Sequence, residues 1–313
     1  MGVSTTDIAK LKQNGIHSIE LLQMQSHRQL VLIKGLSDAK ADKLLEAAMK
    51  LVPPVHRFQT AMDVQMRRDA EVVRISTGCA ELDAIFGGGI ESGSITELYG
   101  EARSGKSQLA MTVAVSSFLP RDVGGGEGRT LILDTEGSFR PERLRPIAER
   151  FEVDADFVVS NVYTARIFNC DHLENAIAEA GALFASEDEE PFRVLIVDSI
   201  IGAYRQEFQG RGELAERQQR IGRALWMLKR IAETYNIAVL LTNQVTADPG
   251  VMAGPDAKKA VGGNIVAHMV DTRIMLRKYK GEQRIAKVMQ SPIVGEMEAT
   301  FQITNGGIAA PTD

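Results

Sequence analysis

Gly100-Glu101-Ala102-Arg103-Ser104-Gly105-Lys106-Ser107 fits G-x-x-x-x-G-K-[ST], and its surroundings decide the fold of this 313-residue chain. The apolar run Ile95–Tyr99 predicts a strand before it, and Lys106–Phe118 predicts a helix after it. Glycines let a backbone wrap a phosphate, while the free N–H groups of the helix start carry positive potential toward it. In that setting Lys106 is placed to reach β- and γ-phosphates, and Ser107 to ligate Mg²⁺ through its hydroxyl.

The alternation continues outward from this loop. Further strands are expected at Thr130–Asp134, Phe157–Asn161, Val194–Asp198, Ala238–Thr242, Thr272–Lys278, Gln283–Met289 and Ala299–Thr304. Helices are expected at Pro141–Phe151, Asp171–Ala185 and Glu213–Tyr235. Strands interleaved with helices, several of them continuous apolar runs, predict an α/β fold with a mainly parallel sheet covered on both faces. The late strands have no helices between them and predict antiparallel pairs.

The ends of these strands carry the remaining chemistry. Val194–Val197 ends in Asp198, a carboxylate at the edge of a buried strand and a candidate for the metal side of a phosphate site. Leu131-Ile132-Leu133-Asp134-Thr135-Glu136 ends another strand. If that strand lies beside the loop strand, Glu136 emerges near the γ-phosphate and can polarise water; otherwise it is a helix N-terminal or solvated carboxylate. Leu240–Thr242 ends in Asn243 and Gln244, whose amide could sense a γ-phosphate. The segment Val245–Gly263 has no apolar period and is expected to lack regular structure, as is the loop Gln206–Gly212. Arg205, Arg211, Lys258 and Lys259 on these stretches are either solvated charges or contacts for a phosphate backbone. Arg273–Lys287 holds six Lys and Arg against one Glu.

Composition limits the alternatives. Apolar residues make up 44% and charged residues 25%, which excludes wholesale disorder. No apolar run approaches the roughly 18 residues of a membrane span, so no membrane role is expected. Two cysteines, Cys79 and Cys170, form neither a disulfide framework nor a metal site alone and suit a reducing compartment. The net charge of −5 is uneven, with +3 over residues 1–57. That segment predicts short helices, among them a helix start at Ser4–Thr6 and a helix over Ala39–Lys50 with Leu44, Leu45 and Met49 on one side. Gly35 in a tight turn and Ser37 at an N-cap look like half of a helix-hairpin-helix module. Pro53-Pro54 ends it, and residues 53–70 are expected to be a linker with a short apolar insertion at Phe58–Ala61.

Six stretches now resemble one family. GEARSGKSQ (100–108), LILDTEGSFRPERL (131–144), LIVDSI (195–200), GRGELAERQQ (210–219), LLTNQVTADPG (240–250) and VGGNIVAH (261–268) stand in the order found in the eukaryotic and archaeal RecA-like strand-exchange recombinases. TADPG, ELAERQQ and ETYNIAV are nearest the meiosis-specific eukaryotic paralogue. The resemblance implies a RecA-like P-loop ATPase core over residues 75–313, a linker with a polymerisation motif at 53–74, and a small all-α domain at 1–52.

It also implies roles. ATP and Mg²⁺ would be held by Gly100 to Gln108 and Asp198, with Glu136 activating water, Gln244 coupling nucleotide to DNA, and Arg143 against the adenine. Arg205, Arg211, Val245, Lys258 and Lys259 would face single- and double-stranded DNA. Phe58 and Ala61 match the F-x-x-A hook that docks in a neighbouring protomer, giving a homo-oligomer as a filament or a ring. Recombination mediator proteins would be further partners, and the nucleus the compartment, or the cytoplasm for an archaeal source. Departures from the family are Ala102 in place of a bulky aromatic, Ala257 and Ala260 in place of prolines, and Met269-Val270-Asp271 in place of a hydroxyl-rich stretch. The function implied is an ATP-dependent recombinase that pairs and exchanges DNA strands. The rivals are a paralogue that binds ATP and partners without exchanging strands, and a ring helicase on the same core.

Overall fold

The computed structural model describes residues 3–53, 58–186, 190–208, 210–247 and 258–312. Side-chain caps start the first helices. The Ser4 hydroxyl accepts the Asp7 N–H at the head of α1 (Thr5–Gln13), Ser18 caps α2 (Ile19–Gln23), and Ser26 forms a capping box with Gln29 at α3 (His27–Val31). α4 (Asp38–Leu51) follows a turn in which Gly35 has φ +86°, a region L side chains avoid. Lys10 Nζ donates to the Gly35 carbonyl at 3.0 Å, tying α1 to that turn. Ser37 is the N-cap of α4 but makes no capping hydrogen bond through its side chain. The buried stripe of α4 is Ala41, Leu44 and Ala48, whereas Met49 is exposed. Spacing of three and four selects this stripe; Leu45 and Met49 lie off it.

The linker expected at residues 53–70 contains a helix, α5 (Ala61–Glu71). Thr60 and Asp63 explain it. The Asp63 N–H donates to the Thr60 hydroxyl at 3.1 Å, and the Thr60 N–H donates to the Asp63 carboxylate at 3.1 Å, a reciprocal cap. None of the residues of α5 is buried. Pro54–Arg57 lie outside the described residues. Two compact units result, Met1–Glu71 with Ile177–Glu187, and Val72–Ala176 with Asp188–Asp313.

The second unit opens with β1 (Arg74–Ile75), α6 (Ala80–Ile85) and β2 (Ile90–Glu91), the two strands pairing antiparallel. β3 (Ile95–Gly100) leads into α7 (Lys106–Ser116), and β4 (Arg129–Asp134) into α8 (Leu144–Arg150). α9 (Ala155–Asn161) precedes β5 (Val162–Arg166), and α10 (Cys170–Phe184) precedes β6 (Phe192–Asp198). After β6 come α11 (Gly202–Glu207), α12 (Leu214–Tyr235) and β7 (Ala238–Asn243). β8 (Val245–Ala247) and β9 (Lys258–Ala260) pair as a small ribbon ahead of α13 (Gly263–Met269). β10 (Thr272–Lys278), β11 (Gln283–Gln290), β12 (Glu298–Thr304) and β13 (Gly307–Ala309) close the chain.

Nine strands form one sheet in the order β13-β12-β11-β10-β3-β7-β6-β4-β5. Pairing is parallel from β10 across to β5 and antiparallel from β10 to β13. Every residue of β3, β4 and β7 is buried, as strands covered on both faces require. α7 packs on β3, β6 and β7, and α12 on β3 and β7. Among the described residues, no helix is long and apolar enough to cross a membrane.

Two sequence expectations fail here for local reasons. Phe157–Asn161 is helical, because the Asp154 carboxylate accepts the N–H groups of Asp156 and Phe157 and starts α9; the strand begins at Val162. The segments expected to lack structure do not wholly lack it. α11 runs through Gln206 to Glu207, Arg211–Glu213 is a 3-10 turn, and Val245–Gly263 has the β8/β9 stem at its base. Residues 248–257, Ala257 among them, lie outside the described residues.

Candidate active site

The loop Gly100–Ser107 joins β3 to α7 as the motif requires. Two of its glycines are dictated by space and dihedral angle. A Cβ on Gly100 would lie 2.2 Å from the Leu276 carbonyl oxygen on β10, and Gly105 has φ +103° at the N-cap of α7. Arg103 adopts φ +64° between them, and its carbonyl accepts from Arg284 Nε at 3.1 Å. Lys106 Nζ folds back across the loop onto the carbonyls of Gly100 (2.9 Å) and Glu101 (2.8 Å). Burial pushes the Lys106 amine below its ordinary pKa, while Asp198, Glu136 and Glu101 pull it back up. Carbonyl partners on a half-buried ammonium are ones an arriving anion can replace. Among the described residues, the buried Ser104 hydroxyl has no hydrogen-bond partner.

Oxygen donors stand beside the loop. The Ser107 hydroxyl donates to Asp198 Oδ2 at 2.7 Å, and the Thr242 hydroxyl donates to Asp198 Oδ1. Burial raises the Asp198 pKa, and the two hydroxyls oppose that rise. Hard oxygen ligands of this kind suit Mg²⁺, and no cluster of His, Cys, Asp and Glu able to hold a metal exists among the described residues. The Ser107 hydroxyl and the Asp198 carboxylate, 2.7 Å apart, are the oxygen donors present for such an ion.

Glu136 reaches the site by a route its sequence position does not suggest. β4 is not beside the loop strand; β7 and β6 lie between them. The Asp134 carboxylate accepts N–H groups from Glu136, Gly137, Ser138 and Phe139 at 2.7–3.4 Å, curling the chain tightly after β4. Parallel pairing aligns Asp134 with Asp198, so this curl delivers Glu136 to the end of β6. There Glu136 Oε1 accepts from Ser199 Oγ at 2.9 Å and from Gln244 Nε2 at 2.7 Å.

Gln244 is held by its buried neighbour. The side-chain carbonyl of Asn243 accepts the Gln244 N–H at 2.7 Å, and Asn243 Nδ2 donates to Val261 O and to Glu97 Oε1. Glu97, fully buried on β3, pairs through Oε2 with Arg273 Nε at 2.6 Å, and the guanidinium lies over the Tyr99 ring. Tyr99 in turn packs with Val245, Ala260 and Met275, seating the β8/β9 stem on the loop strand. Removing one partner of a buried ion pair leaves the other uncompensated. Arg273→Ala is accordingly expected to lower stability by about 3 kcal/mol, or roughly 6–12 °C in Tm, read by thermal denaturation. A change of under a degree would mean that Glu97 needs no countercharge.

The structure brings Lys106, Ser107, Asp198, Glu136 and Gln244 together. Arg205, exposed on α11, donates to Gln244 Oε1. Val245 begins β8, and Lys259 is exposed on β9. The side chains of Arg211 and Lys258 lie outside the described residues. Ala102 is exposed in the loop. Arg143 donates to Gln108 Oε1 at 3.1 Å and to the carbonyls of Thr304 and Asn305, which joins α7 to the β12–β13 turn. Phe58 and Ala61 are exposed. Sequence reasoning missed Thr242, Ser199, Asp134, Glu97 and Arg284. Thr242, Asp134 and Ser199 border residues already singled out; Arg273 and Arg284, two cations of the basic ribbon, turn inward to Glu97 and the phosphate loop, which no periodicity reveals.

Comparison with known proteins agrees with this geometry. The Rad51 family model matches residues 67–311. The chain is 49% identical over 313 residues to a protein of Lilium longiflorum described as "Meiotic recombination protein DMC1 homolog", covering 100% of this chain and 88% of that one. It is 48% identical over 314 residues to "DNA repair protein RAD51" of Mycosarcoma maydis, covering 100% and 91%, and 46% identical to "DNA repair protein rhp51" of Schizosaccharomyces pombe, covering 100% and 84%. A phosphate loop, an acid–glutamine pair meeting at the ends of β4 and β7, and full-length likeness all lead to one conclusion: the chain belongs to the Rad51 family of RecA-like strand-exchange recombinases and lies near its DMC1 members.

Proposed function

We propose that the protein binds ATP with Mg²⁺ at Gly100–Gln108 and Asp198, hydrolyses it with Glu136 as base, and uses this cycle to control a helical filament on single-stranded DNA. As a Rad51-family recombinase it is a DNA-dependent ATPase that catalyses strand exchange in recombination and repair. The observation that carries the finer reading is the convergence of Lys106, Ser107, Asp198, Glu136 and Gln244 at the carboxyl ends of parallel strands, where open α/β sheets bind ligands.

In this reading the Lys106 amine exchanges its carbonyl partners for β- and γ-phosphate oxygens. The Ser107 hydroxyl would hold Mg²⁺ with Asp198 on its outer side, and the ion when bound neutralises charge on the phosphate oxygens. Glu136 accepts a proton from water as the water oxygen bonds to the γ-phosphorus and the bond to the β-phosphate oxygen breaks, leaving ADP and phosphate. Arg143 bears on the adenine side. α11 with Arg205, the 3-10 turn with Arg211, and the β8/β9 stem with Val245, Lys258 and Lys259 would face DNA phosphates. Such contacts are sequence-blind and weaken with salt.

Phe58 and Ala61 are assigned to the neighbour-docking hook. The exposure of Phe58 and the open edge strand β5, with Tyr163 exposed on it, supply the two halves of an added-strand contact. A head-to-tail contact that does not close builds a helix rather than a ring. Recombination mediators complete the proposed partners, and the nucleus is the proposed compartment, in keeping with the eukaryotic sources of the relatives. ATP hydrolysis with and without single-stranded DNA, together with strand exchange between homologous duplex and single strand, tests the whole. Lys106→Ala is expected to weaken ATP binding by about 10–100-fold, the worth of hydrogen bonds to a charged group, measured with a fluorescent nucleotide. Wild-type protein that neither responds to DNA nor exchanges strands would sink the reading.

A further inference from the structure

Glu136, Gln244 and Arg205 form an unbroken hydrogen-bonded line. Arg205 Nη1 donates to Gln244 Oε1, and Gln244 Nε2 donates to Glu136 Oε1. The orientation of the amide is dictated from both ends, since a guanidinium demands the oxygen and a carboxylate demands the N–H. Ser199 Oγ adds a second donor on the same Glu136 oxygen. These two donors occupy Oε1 and fix the orientation of the carboxylate, so water cannot reach Glu136 through that oxygen.

The backbone beside this line is held by hydrogen bonds of its own. The Gln244 backbone is pinned on both sides, its N–H on Asn243 Oδ1 and its carbonyl accepting from Val261 N at 2.9 Å. The Glu136 N–H is pinned on Asp134 Oδ1 at 3.0 Å, and the Ser199 N–H on Thr135 Oγ1 at 2.9 Å. Glu207, two residues beyond Arg205 on α11, accepts the Cys170 N–H at 3.0 Å and anchors that helix. Arg205 itself is exposed, so an outside ligand can reach its guanidinium without disturbing the backbone.

We propose that Arg205 clamps Glu136 through Gln244 when DNA is absent, and that a DNA phosphate releases the clamp by taking the Arg205 guanidinium. Phosphate wins this exchange because it is itself charged and can accept two guanidinium N–H groups at once, whereas the amide oxygen is neutral. With Arg205 gone the Gln244 amide is free to turn toward the γ-phosphate, and the Glu136 oxygen is open to water. Arg205 is thus a positioning residue that makes hydrolysis depend on DNA. The inference rests on the proposed roles of Glu136 as base and α11 as a DNA-facing element.

Steady-state ATP hydrolysis by the full chain, with and without an oligothymidylate strand, tests it in wild type, Arg205→Ala and Arg205→Lys. Loss of the clamp in Arg205→Ala is expected to raise the DNA-free rate by about tenfold, the rate equivalent of one hydrogen bond, and to flatten the response to DNA. Arg205→Lys keeps a donor for Gln244 Oε1 and is expected to retain a low DNA-free rate. A merely structural role would lower both rates together. If Arg205→Ala loses ATP binding, Arg205→Met is put through the same comparison, its longer stem preserving the packing of α11. A DNA-free rate unchanged or lowered in an alanine or methionine variant that still binds ATP overturns the clamp. Wild-type protein without DNA stimulation overturns the functional reading instead.

Discussion

Glu136→Gln will bind ATP and DNA as wild type does and will turn over about 10²–10⁴ times more slowly, the range lost with a general base. The variant is suited to the question because little else changes. The side chain keeps its size, and the backbone curl that places it belongs to Asp134, whose carboxylate receives four consecutive N–H groups. Ser107 and Lys106 lie on α7 and keep their own partners. Binding should therefore be spared and the chemical step lost, a split between affinity and kcat. Nucleotide titration beside single-turnover hydrolysis separates the two. A kcat within threefold of wild type would remove Glu136 from the role of base and leave it as a neighbour of Ser199 and Gln244.

Phe58→Glu will leave the protein as a soluble protomer that binds nucleotide but forms no filaments on single-stranded DNA. Phe58 is fully exposed, and α5 just beyond it buries none of its residues. An aromatic ring presented to water on a capped helix start makes no contribution to the protomer's own core. Its replacement therefore leaves folding intact. In the assembly the same ring would enter an apolar pocket, and a carboxylate cannot follow it there unpaired without a cost of several kcal/mol. Electron microscopy of DNA-bound protein and sedimentation in its absence read the outcome. Filaments of ordinary length from Phe58→Glu would place the hook elsewhere, and a lowered Tm would show that Phe58 serves its own protomer.

Much of the fold was legible because it depends on local chemistry. β3, β4, β6 and β7 are apolar runs ending at loops, and β10 to β12 follow one another without helices, which predicts antiparallel pairing; β13 was not expected. α9 and α5 were missed for the opposite reason. Each is started by a single side-chain cap, Asp154 or the Thr60–Asp63 pair, that overrides the composition of the residues after it. The α4 stripe shows a narrower limit, since a set of apolar residues does not say which of two adjacent faces is buried.

The chemical residues follow the same division. Residue type and spacing singled out Lys106, Ser107 and Asp198 and left Glu136 and Gln244 as candidates at strand ends, to which the family resemblance gave roles. Their assembly into one site depended on strand order. β4 is separated from β3 by β6 and β7, so Glu136 meets Gln244 across 108 positions of sequence only because parallel pairing aligns the ends of β4 and β6 and Asp134 curls the chain. The Glu97–Arg273 pair, the Arg284 brace and the Arg205–Gln244–Glu136 line were decided by tertiary structure alone. Hydrogen bonds between distant side chains arise from register and burial, and neither is written in any local pattern.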